Sequence, residues 1–172
     1  MALTFYHGHG SPYSWRVWLA LEHLGLPYEL KVLSFADKDL TKPEFLAINP
    51  RHQVPTIVHD GFALWESLAI LEYLDETRQA GFLPAHPADR ARARALAHAV
   101  AMEIQPVCNL RVAQHAVSLG GGATLEGWMR HFITLGFQGL EPMLTGDSPF
   151  SPGPTPGLPD LCLVPQVYNA RR

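Results

Sequence analysis

The spacing of apolar residues in the first part of the chain changes from that of a strand to that of a helix and back. Residues 3–6 are apolar and aromatic, and residues 28–32 alternate apolar and polar side chains, so both runs predict β-strands. A helix is predicted between them, with Pro12 in its first turn and Gly25 at its end. Its apolar positions at helical spacing are Val17, Ala20, Leu21 and Leu24. Strand, helix and strand at this separation predict a βαβ unit with parallel strands.

Two further β-prone runs surround an Asp-Gly pair. Residues 56–58 and 62–65 flank Asp60 and Gly61, which predicts an antiparallel hairpin. A helix is expected from about residue 67, and its apolar face carries Leu68, Leu71 and Leu74. Through residue 77 the predicted order is therefore βαβ, a connection, then ββα, which gives a mixed sheet.

The pattern changes after the proline-bearing segment 83–87. Beyond this segment strand signals are absent, and an Ala-rich helix is predicted from about residue 89 to Pro106, where proline ends or kinks it. A second helix is predicted from about Thr124 to residue 144, then a loop over 148–159 and a last helical segment from residue 161. We therefore predict an α/β domain over residues 1–80, a linker over 81–87 and an all-α domain over 88–172.

Composition and charge exclude several classes of function. The 172 residues carry 13 basic and 16 acidic side chains, a net charge of −3, and no stretch clusters Lys or Arg with aromatic residues as a nucleic-acid surface would. No apolar run approaches the roughly 20 residues that span a bilayer, and the first ten residues lack the pattern of a secretory signal. We expect a soluble, cytoplasmic protein that binds neither nucleic acid nor membrane.

The cysteines and histidines do not have the spacing of a redox or metal motif. Cys108 and Cys162 are the only cysteines, too few for a disulfide framework and too far apart for a Cys-x-x-Cys pair. The nine histidines are scattered, and their one close pair, His7 and His9, has no carboxylate or thiolate nearby in the sequence. We expect no metal site, and the lack of cysteine before Cys108 argues against a thiol–disulfide oxidoreductase.

Three segments of the first domain carry a family resemblance. These are SPYSWRV at 11–17, NPRHQVP at 49–55 and ESLAILEYL at 66–74, and in order and spacing they resemble the successive motifs of glutathione transferases. Two segments of the second domain, EIQPVCNL at 103–110 and DLCLVPQVYNA at 160–170, look like the zeta class, which includes maleylacetoacetate isomerase. The resemblance spans essentially the whole chain. It implies a bacterial zeta-like member, with a thioredoxin-like first domain that binds glutathione and a helical second domain that shapes the pocket for an electrophile.

The resemblance implies that Ser11 is the catalytic residue. The serine that activates glutathione in zeta-like and theta-like members matches Ser11, just before the helix that Pro12 begins. A hydroxyl hydrogen bond beside the positive end of a helix would stabilise a thiolate, although a serine before proline is also a common helix cap. Where the zeta class has a further Ser and then Cys, this chain has Pro12 and Tyr13. Ser14 and Tyr6 are the alternative donors.

The glutathione-binding residues are likewise implied by the resemblance. Val54 and Pro55 resemble the family's cis-proline turn, whose backbone pairs with the cysteinyl part, and Glu66 and Ser67 resemble the pair that holds the γ-glutamyl end. Ordinary turn and capping roles are the alternatives at these positions. Near the glycyl end the candidates are His52 and Gln53, together with Lys38 or Lys42, because position 40 is polar in many relatives and is Leu40 here.

For the second substrate, Arg172 matches the zeta-class arginine that binds a substrate carboxylate, with Asn109 and Cys108 lining the pocket. We expect a homodimeric transferase that uses glutathione as co-substrate against a small electrophile. The alternatives are cis–trans isomerisation of maleylacetoacetate or maleylpyruvate, and a non-catalytic glutathione-binding module. Relatives continue through further helices, so we expect either a helical domain shortened at its end or a poorly anchored tail from Ser148 onward. Gly157 replaces the Ser or Thr that usually caps the final helix.

Overall fold

The computed structural model of the protein describes residues 2–144, 148–151 and 153–171, and two compact units meet between Gly81 and Phe82. The N-terminal unit contains all the strands found among these residues. Its elements are β1 Leu3–Gly8, α1 Pro12–His23, β2 Glu29–Leu33, a 3-10 turn Asp39–Thr41, α2 Pro43–Leu46, β3 Thr56–His59, β4 Phe62–Trp65 and α3 Ser67–Arg78. The predicted order βαβ, connection, ββα is confirmed, and α2 is a short helix inside the connection.

The four strands form one mixed sheet in the order β2-β1-β3-β4. β1 pairs with β2 in parallel and with β3 antiparallel, and β3 pairs with β4 antiparallel. Side chains alternate between the two faces of a strand, so Phe5 and His7 of β1 share one face and Tyr6 lies on the other. Phe5 and His7 are buried, and Tyr6 contacts Phe45 of α2, with ring centroids 5.6 Å apart. Both faces of β1 are therefore covered.

The turns that hold this unit together have identifiable local causes. Asp60 and Gly61 both have positive φ, at 49° and 85°, the conformation that a two-residue hairpin turn requires. α1 begins at Pro12, whose missing N–H costs nothing in the first helical turn, and Gly25 follows its end with φ of 59°. The predicted hairpin and the predicted helix ends are confirmed.

The C-terminal unit contains only helical elements among its described residues. They are α4 Pro87–His98, a π-helical turn Ala99–Ile104, α5 Gln105–Val107, α6 Leu110–Ser118, α7 Leu125–Leu140, a 3-10 turn Glu141–Met143 and α8 Leu158–Arg171. The predicted all-α character is confirmed, but several bounds were wrong. α4 begins at Pro87 rather than near residue 89, α7 ends at Leu140 rather than 144, α8 begins at Leu158 rather than 161, and α6 was not predicted.

Pro106 interrupts the helical path instead of ending it. Proline cannot donate a backbone hydrogen bond and clashes with the preceding turn, and the chain here widens into the π-helical turn that leads to α5. Trp128 of α7 donates from Nε1 to the carbonyl oxygen of Val107 at 2.8 Å. Buried Ile104, Cys108 and Ile133 form a common apolar cluster beside this contact. The interrupted segment is therefore fixed in place by α7.

Gly136 lets α7 lie close to the π-helical turn. A Cβ at Gly136 would lie 2.3 Å from Cγ1 of Ile104, whereas one at Gly139 would meet nothing within 4 Å. We expect Gly136→Ala to lower the free energy of unfolding by about 1–3 kcal/mol through overpacking. We expect the matched variant Gly139→Ala to raise it by up to about 1 kcal/mol, because alanine favours a helix over glycine. Urea unfolding of both variants measures this difference, and equal effects would contradict the prediction.

None of the described helices is both long and apolar enough to cross a membrane.

Candidate functional site

Ser11 caps α1 and remains able to donate a hydrogen bond. Its Oγ accepts from the backbone N–H of Ser14 at 3.3 Å, and its own N–H donates to the carbonyl oxygen of Gly8 at 3.0 Å. A hydroxyl has one proton and two lone pairs, so the capping bond uses an acceptor position and leaves the proton available. Capping and thiolate stabilisation are therefore compatible roles for this one side chain.

The two alternative donors occupy different surroundings. Ser14 is fully buried, and its Oγ accepts from the backbone N–H of Gly8 at 3.4 Å, which directs the side chain back toward the end of β1. Tyr6 lies on the face of β1 that packs against Phe45 of α2. Ser11 and Ser14 both lie at the N-terminal turn of α1, where the helix dipole favours an anion, and Ser11 is the one that caps the helix.

The loop before β3 is shaped by the side chain of Asn49. This residue is buried, and its Nδ2 donates to the carbonyl oxygen of Gln53 at 2.8 Å and to Oγ1 of Thr56 at 3.0 Å. Its Oδ1 accepts from the backbone N–H of Arg51 at 3.0 Å. The loop carries the predicted binding segment, in which the Val54–Pro55 peptide bond is cis.

Gly8 connects this loop to the start of α1. A Cβ at Gly8 would lie 2.7 Å from Cγ2 of Val54 and 2.6 Å from Cζ of Phe35, too close for any other residue without a shift. The carbonyl oxygen of the same Gly8 accepts from Ser11. Ser11 and Val54, far apart in sequence, therefore both lie next to Gly8.

The start of α3 rests on a buried arginine. Glu66 precedes the helix with φ of 70° and gives it no side-chain cap, and Ser67 is its first residue. Arg16 of α1, which is only 1% exposed, donates from Nη1 to Oγ of Ser67 at 2.8 Å. The guanidinium also lies 5.2 Å from the ring centroid of Tyr13. The positively charged guanidinium of Arg16 thus lies within hydrogen-bond distance of the first residue of α3.

A second arginine joins the loop to the start of α3 at the surface. Nη1 of Arg51 lies 3.3 Å from Oε1 of Glu66, and Nη2 donates to Oε1 of Gln53 at 3.5 Å. His52, which lies between Arg51 and Gln53 in the sequence, is exposed and has φ of 46°. Arg51 was not among the predicted site residues, although it lies inside the 49–55 motif. It brings the predicted residues Gln53 and Glu66 within reach of one side chain.

The cations predicted to compensate for Leu40 lie at a 3-10 turn. Lys42 forms an ion pair with Asp39, and this bond, with the backbone N–H of Ser34, holds the pKa of Asp39 below its usual value. Lys38 precedes the turn in the left-handed region, with φ of 56°. The ammonium group of Lys42 is therefore already paired with a carboxylate of the same turn. Arg51 is another cation of this unit, and the sequence analysis did not consider it.

The predicted pocket residues of the C-terminal unit have clear structural contacts. Cys108 is buried against Ile104 and Ile133, and burial raises the pKa of its thiol. Asn109 caps α6, its Oδ1 accepting from the backbone N–H of Arg111 at 3.1 Å. Arg172 lies outside the described residues. Within the described part of the chain, no group of three His, Cys, Asp or Glu side chains could hold a metal ion.

Comparisons with known proteins identify the family of this chain. Residues 10–77 match the model for the glutathione S-transferase N-terminal domain. The chain is 48% identical over 166 residues to maleylacetoacetate isomerase of Rhizobium meliloti, covering 92% of this chain and 77% of that protein. It is 39% identical over 178 residues to a probable maleylacetoacetate isomerase of Vibrio cholerae, covering all of this chain and 83% of the relative.

Solved structures give the same assignment. A maleyl pyruvate isomerase described as a bacterial zeta-class glutathione S-transferase matches with a TM-score of 0.91 and 35% identity, over 98% of this chain and 82% of that chain. Maleylacetoacetate isomerase of Anaeromyxobacter dehalogenans, with glutathione bound in its active site, matches with a TM-score of 0.86 and 37% identity, over 99% and 82%. The chain belongs to the glutathione transferase family. Within that family it is a zeta-like member.

In this glutathione transferase the three N-terminal motifs converge through contacts that motif matching does not report. Gly8 links Ser11 to Val54, Arg51 links Gln53 to Glu66, and Arg16 links α1 to Ser67. Asn49 and Arg16 lie inside the quoted motifs. Their residue type could have identified them, because an amide and a cation at buried positions need hydrogen-bond partners. The sequence analysis did not use this signal.

We expect His7 to make the stability of this transferase depend on pH. Its ring lies 4.8 Å from that of Trp18 and 5.9 Å from that of Phe5, and its Nδ1 is buried without a hydrogen-bond partner among the described residues. Burial, and secondly the charge of His9, lower the pKa of His7 below its ordinary value of about 6.5. As the pH falls below about 6.5, His7 is therefore protonated in the unfolded chain but stays neutral in the folded protein. The free energy of unfolding decreases as the pH is lowered from about 6.5 toward the pKa of His7 in the folded protein.

We expect His7→Phe to reduce this fall in the free energy of unfolding. Urea unfolding at several pH values between about 7.5 and 5 measures it, with His86→Phe, at an exposed position, as control for the loss of one histidine. An unchanged pH dependence in His7→Phe, or an equal change in His86→Phe, would contradict this assignment.

Proposed function

We propose that the protein binds glutathione in its N-terminal unit and ionises the thiol through a hydrogen bond from Ser11. A free thiol has a pKa of about 8.5, so an enzyme that uses the thiolate at neutral pH must lower it, and each unit requires about 1.4 kcal/mol. The observation that supports this proposal is the position of Ser11, at the N-terminus of α1 with its proton free of the capping bond. The donor and the helix field act on the same sulfur.

The rest of the tripeptide would lie across the elements that surround Ser11. Backbone groups of Val54, before the cis Pro55, pair with the cysteinyl part as an added strand would. Glu66 receives the γ-glutamyl amine, and Ser67, with the backbone N–H groups of α3, receives its carboxylate. Near the glycyl carboxylate we place His52 and Gln53, with Lys38 supplying positive charge.

The reaction proposed is attack of the glutathione thiolate on an electrophilic small molecule. The sulfur forms a bond to the electrophilic carbon of the substrate, the leaving group departs from that carbon with its bonding electron pair, as chloride does from 1-chloro-2,4-dinitrobenzene, and glutathione remains attached to the product. Cys108, Asn109 and Arg172 of the C-terminal unit are proposed to receive this substrate, Arg172 by pairing with a carboxylate. Glutathione is the co-substrate, and no metal takes part in this proposal.

A second reaction, favoured by the names of the relatives, uses the same thiolate. The sulfur adds to the double bond of a maleyl keto acid, whose electron pair moves onto the conjugated carbonyl group. The carbon–carbon bond, now single, rotates, and elimination of the thiolate restores the double bond in the trans form. Atoms and electrons are conserved, and glutathione is released unchanged. The relatives named maleylacetoacetate isomerase and maleyl pyruvate isomerase support this alternative.

One set of measurements separates these proposals. Glutathione binding is measured by calorimetry, maleylpyruvate isomerisation by absorbance, and conjugation with 1-chloro-2,4-dinitrobenzene as a general electrophile. Glutathione-dependent isomerisation supports the isomerase, conjugation alone supports the transferase, and binding without either reaction supports a non-catalytic module. Absence of glutathione binding by folded protein would overturn the proposal as a whole.

We also propose that the protein acts in the cytoplasm as a homodimer. Both cysteines are free thiols, as expected in a reducing compartment, which also supplies glutathione. The homodimer follows from the family resemblance. Light scattering coupled to size-exclusion chromatography tests it, and a mass of one 19.0 kDa chain at all concentrations would count against it.

A further inference from the structure

Arg16 is the largest of the fully buried side chains that the structure describes, and it lies between two parts of the proposed glutathione site. It belongs to α1, one turn after the cap formed by Ser11, and its guanidinium reaches the first residue of α3. The Nη1 atom lies 2.8 Å from Oγ of Ser67, which is itself only 5% exposed. A long cationic side chain is rarely buried unless it is hydrogen-bonded to a defined partner.

The direction of this hydrogen bond determines what Ser67 can do. A guanidinium only donates, so the hydroxyl oxygen of Ser67 must accept from Arg16. The single proton of the hydroxyl is then free to point away from the arginine. A hydroxyl whose oxygen accepts from a cation is a stronger donor, and the acceptor it favours most is an anion.

We propose that Arg16 is a positioning residue that makes Ser67 a dedicated hydrogen-bond donor to the γ-glutamyl carboxylate of glutathione. This inference rests on the proposed function, because it assigns a role within the same site. Arg16 does not touch the ligand. It orients the Ser67 hydroxyl toward an anion at the first turn of α3, where the backbone N–H groups also favour an anion.

The inference is tested with two ligands that differ only in this carboxylate. Calorimetry gives the affinities of the parent protein and of Arg16→Met for glutathione and for γ-aminobutyryl-cysteinylglycine, which lacks the γ-glutamyl carboxylate. We expect the parent to prefer glutathione by about tenfold or more, and Arg16→Met to lose most of this preference. If Arg16 were merely structural, its replacement would weaken both ligands equally and leave the ratio unchanged, and that result would overturn the inference.

Three further variants complete the experiment. Ser67→Ala is expected to lose the preference to the same degree, and the double variant Arg16→Met with Ser67→Ala to lose no more than either alone, because both act through one hydroxyl. Arg78→Gln removes an arginine from the other end of α3 and is expected to retain the preference. Additive losses in the double variant would show that Arg16 does not act through Ser67.

Folding and binding failures remain distinguishable. Circular dichroism and the urea midpoint establish that each variant is folded, and if Arg16→Met is not, the same ligand ratio is measured on Arg16→Gln. If the parent protein itself fails to bind glutathione, the proposed function is wrong. If the parent binds with the expected preference and the arginine variants retain it, only the role of Arg16 is wrong.

Discussion

Replacing Ser11 with alanine is expected to return the thiol of bound glutathione to a pKa near the free value of about 8.5, where only about 3% is ionised at pH 7. Turnover at pH 7 should fall on the order of 10²-fold, the usual cost of losing one donor to a developing anion. The pKa is measured from the ultraviolet absorbance of the thiolate as the pH is raised in the glutathione complex.

The capping role of Ser11 requires a separate control. Ser11→Ala also removes a helix cap worth about 1 kcal/mol, whereas glycine at a cap costs only a few tenths. Ser11→Gly should therefore be closer to the parent in stability and as inactive as Ser11→Ala. Thr124→Ala removes a cap of the same kind from α7, where Oγ1 accepts from Gly127 at 3.0 Å, and should leave the thiol pKa unchanged. A depressed thiol pKa in both Ser11 variants would refute the assignment.

Replacing Asn49 with alanine is expected to lower both stability and glutathione affinity. The substitution removes the amide that donates to the carbonyl oxygen of Gln53 and to Oγ1 of Thr56, which among the described residues keep only their bond to each other, and it removes the acceptor of the backbone N–H of Arg51. Each lost hydrogen bond costs about 1 kcal/mol, and an unpaired polar group about 1–3 kcal/mol. We expect a loss of about 3 kcal/mol in the free energy of unfolding. Because the same loop carries Val54, glutathione affinity should fall by about tenfold. Urea unfolding and calorimetry measure the two effects.

Two variants separate a local change in the loop from general destabilisation. Gly136→Ala should lower stability through a contact inside the C-terminal unit and should leave glutathione affinity unchanged, because Gly136 and the loop belong to different compact units. Asn49→Asp keeps an oxygen for the N–H of Arg51 but replaces the donor to Gln53, so it should resemble Asn49→Ala. An affinity close to that of the parent in both Asn49 variants would contradict a role for this side chain in shaping the site.

Local signals predicted the N-terminal elements well because their causes are local. The Asp60-Gly61 turn needs two residues with positive φ, and Ser11 followed by Pro12 suits a helix start, so adjacent residues were sufficient. In the C-terminal unit the same signals missed α6 and misplaced several helix ends. Proline was expected to end or kink the first helix. It does not end it, because the path continues through a π-helical turn next to α7, with a hydrogen bond to a residue more than twenty positions away.

The amino-acid sequence by itself determined the order of the elements, the mixed sheet, the family and the position of Ser11 at a helix start. These depend on periodicity, turn chemistry and short motifs, all of which lie within a few consecutive residues. Only the tertiary structure decided that Gly8 lies next to both Ser11 and Val54, that Asn49 holds the binding loop, and that Arg16 donates to Ser67. Those contacts join residues from different elements, and the pairing of side chains across elements is set by packing, which no local pattern encodes.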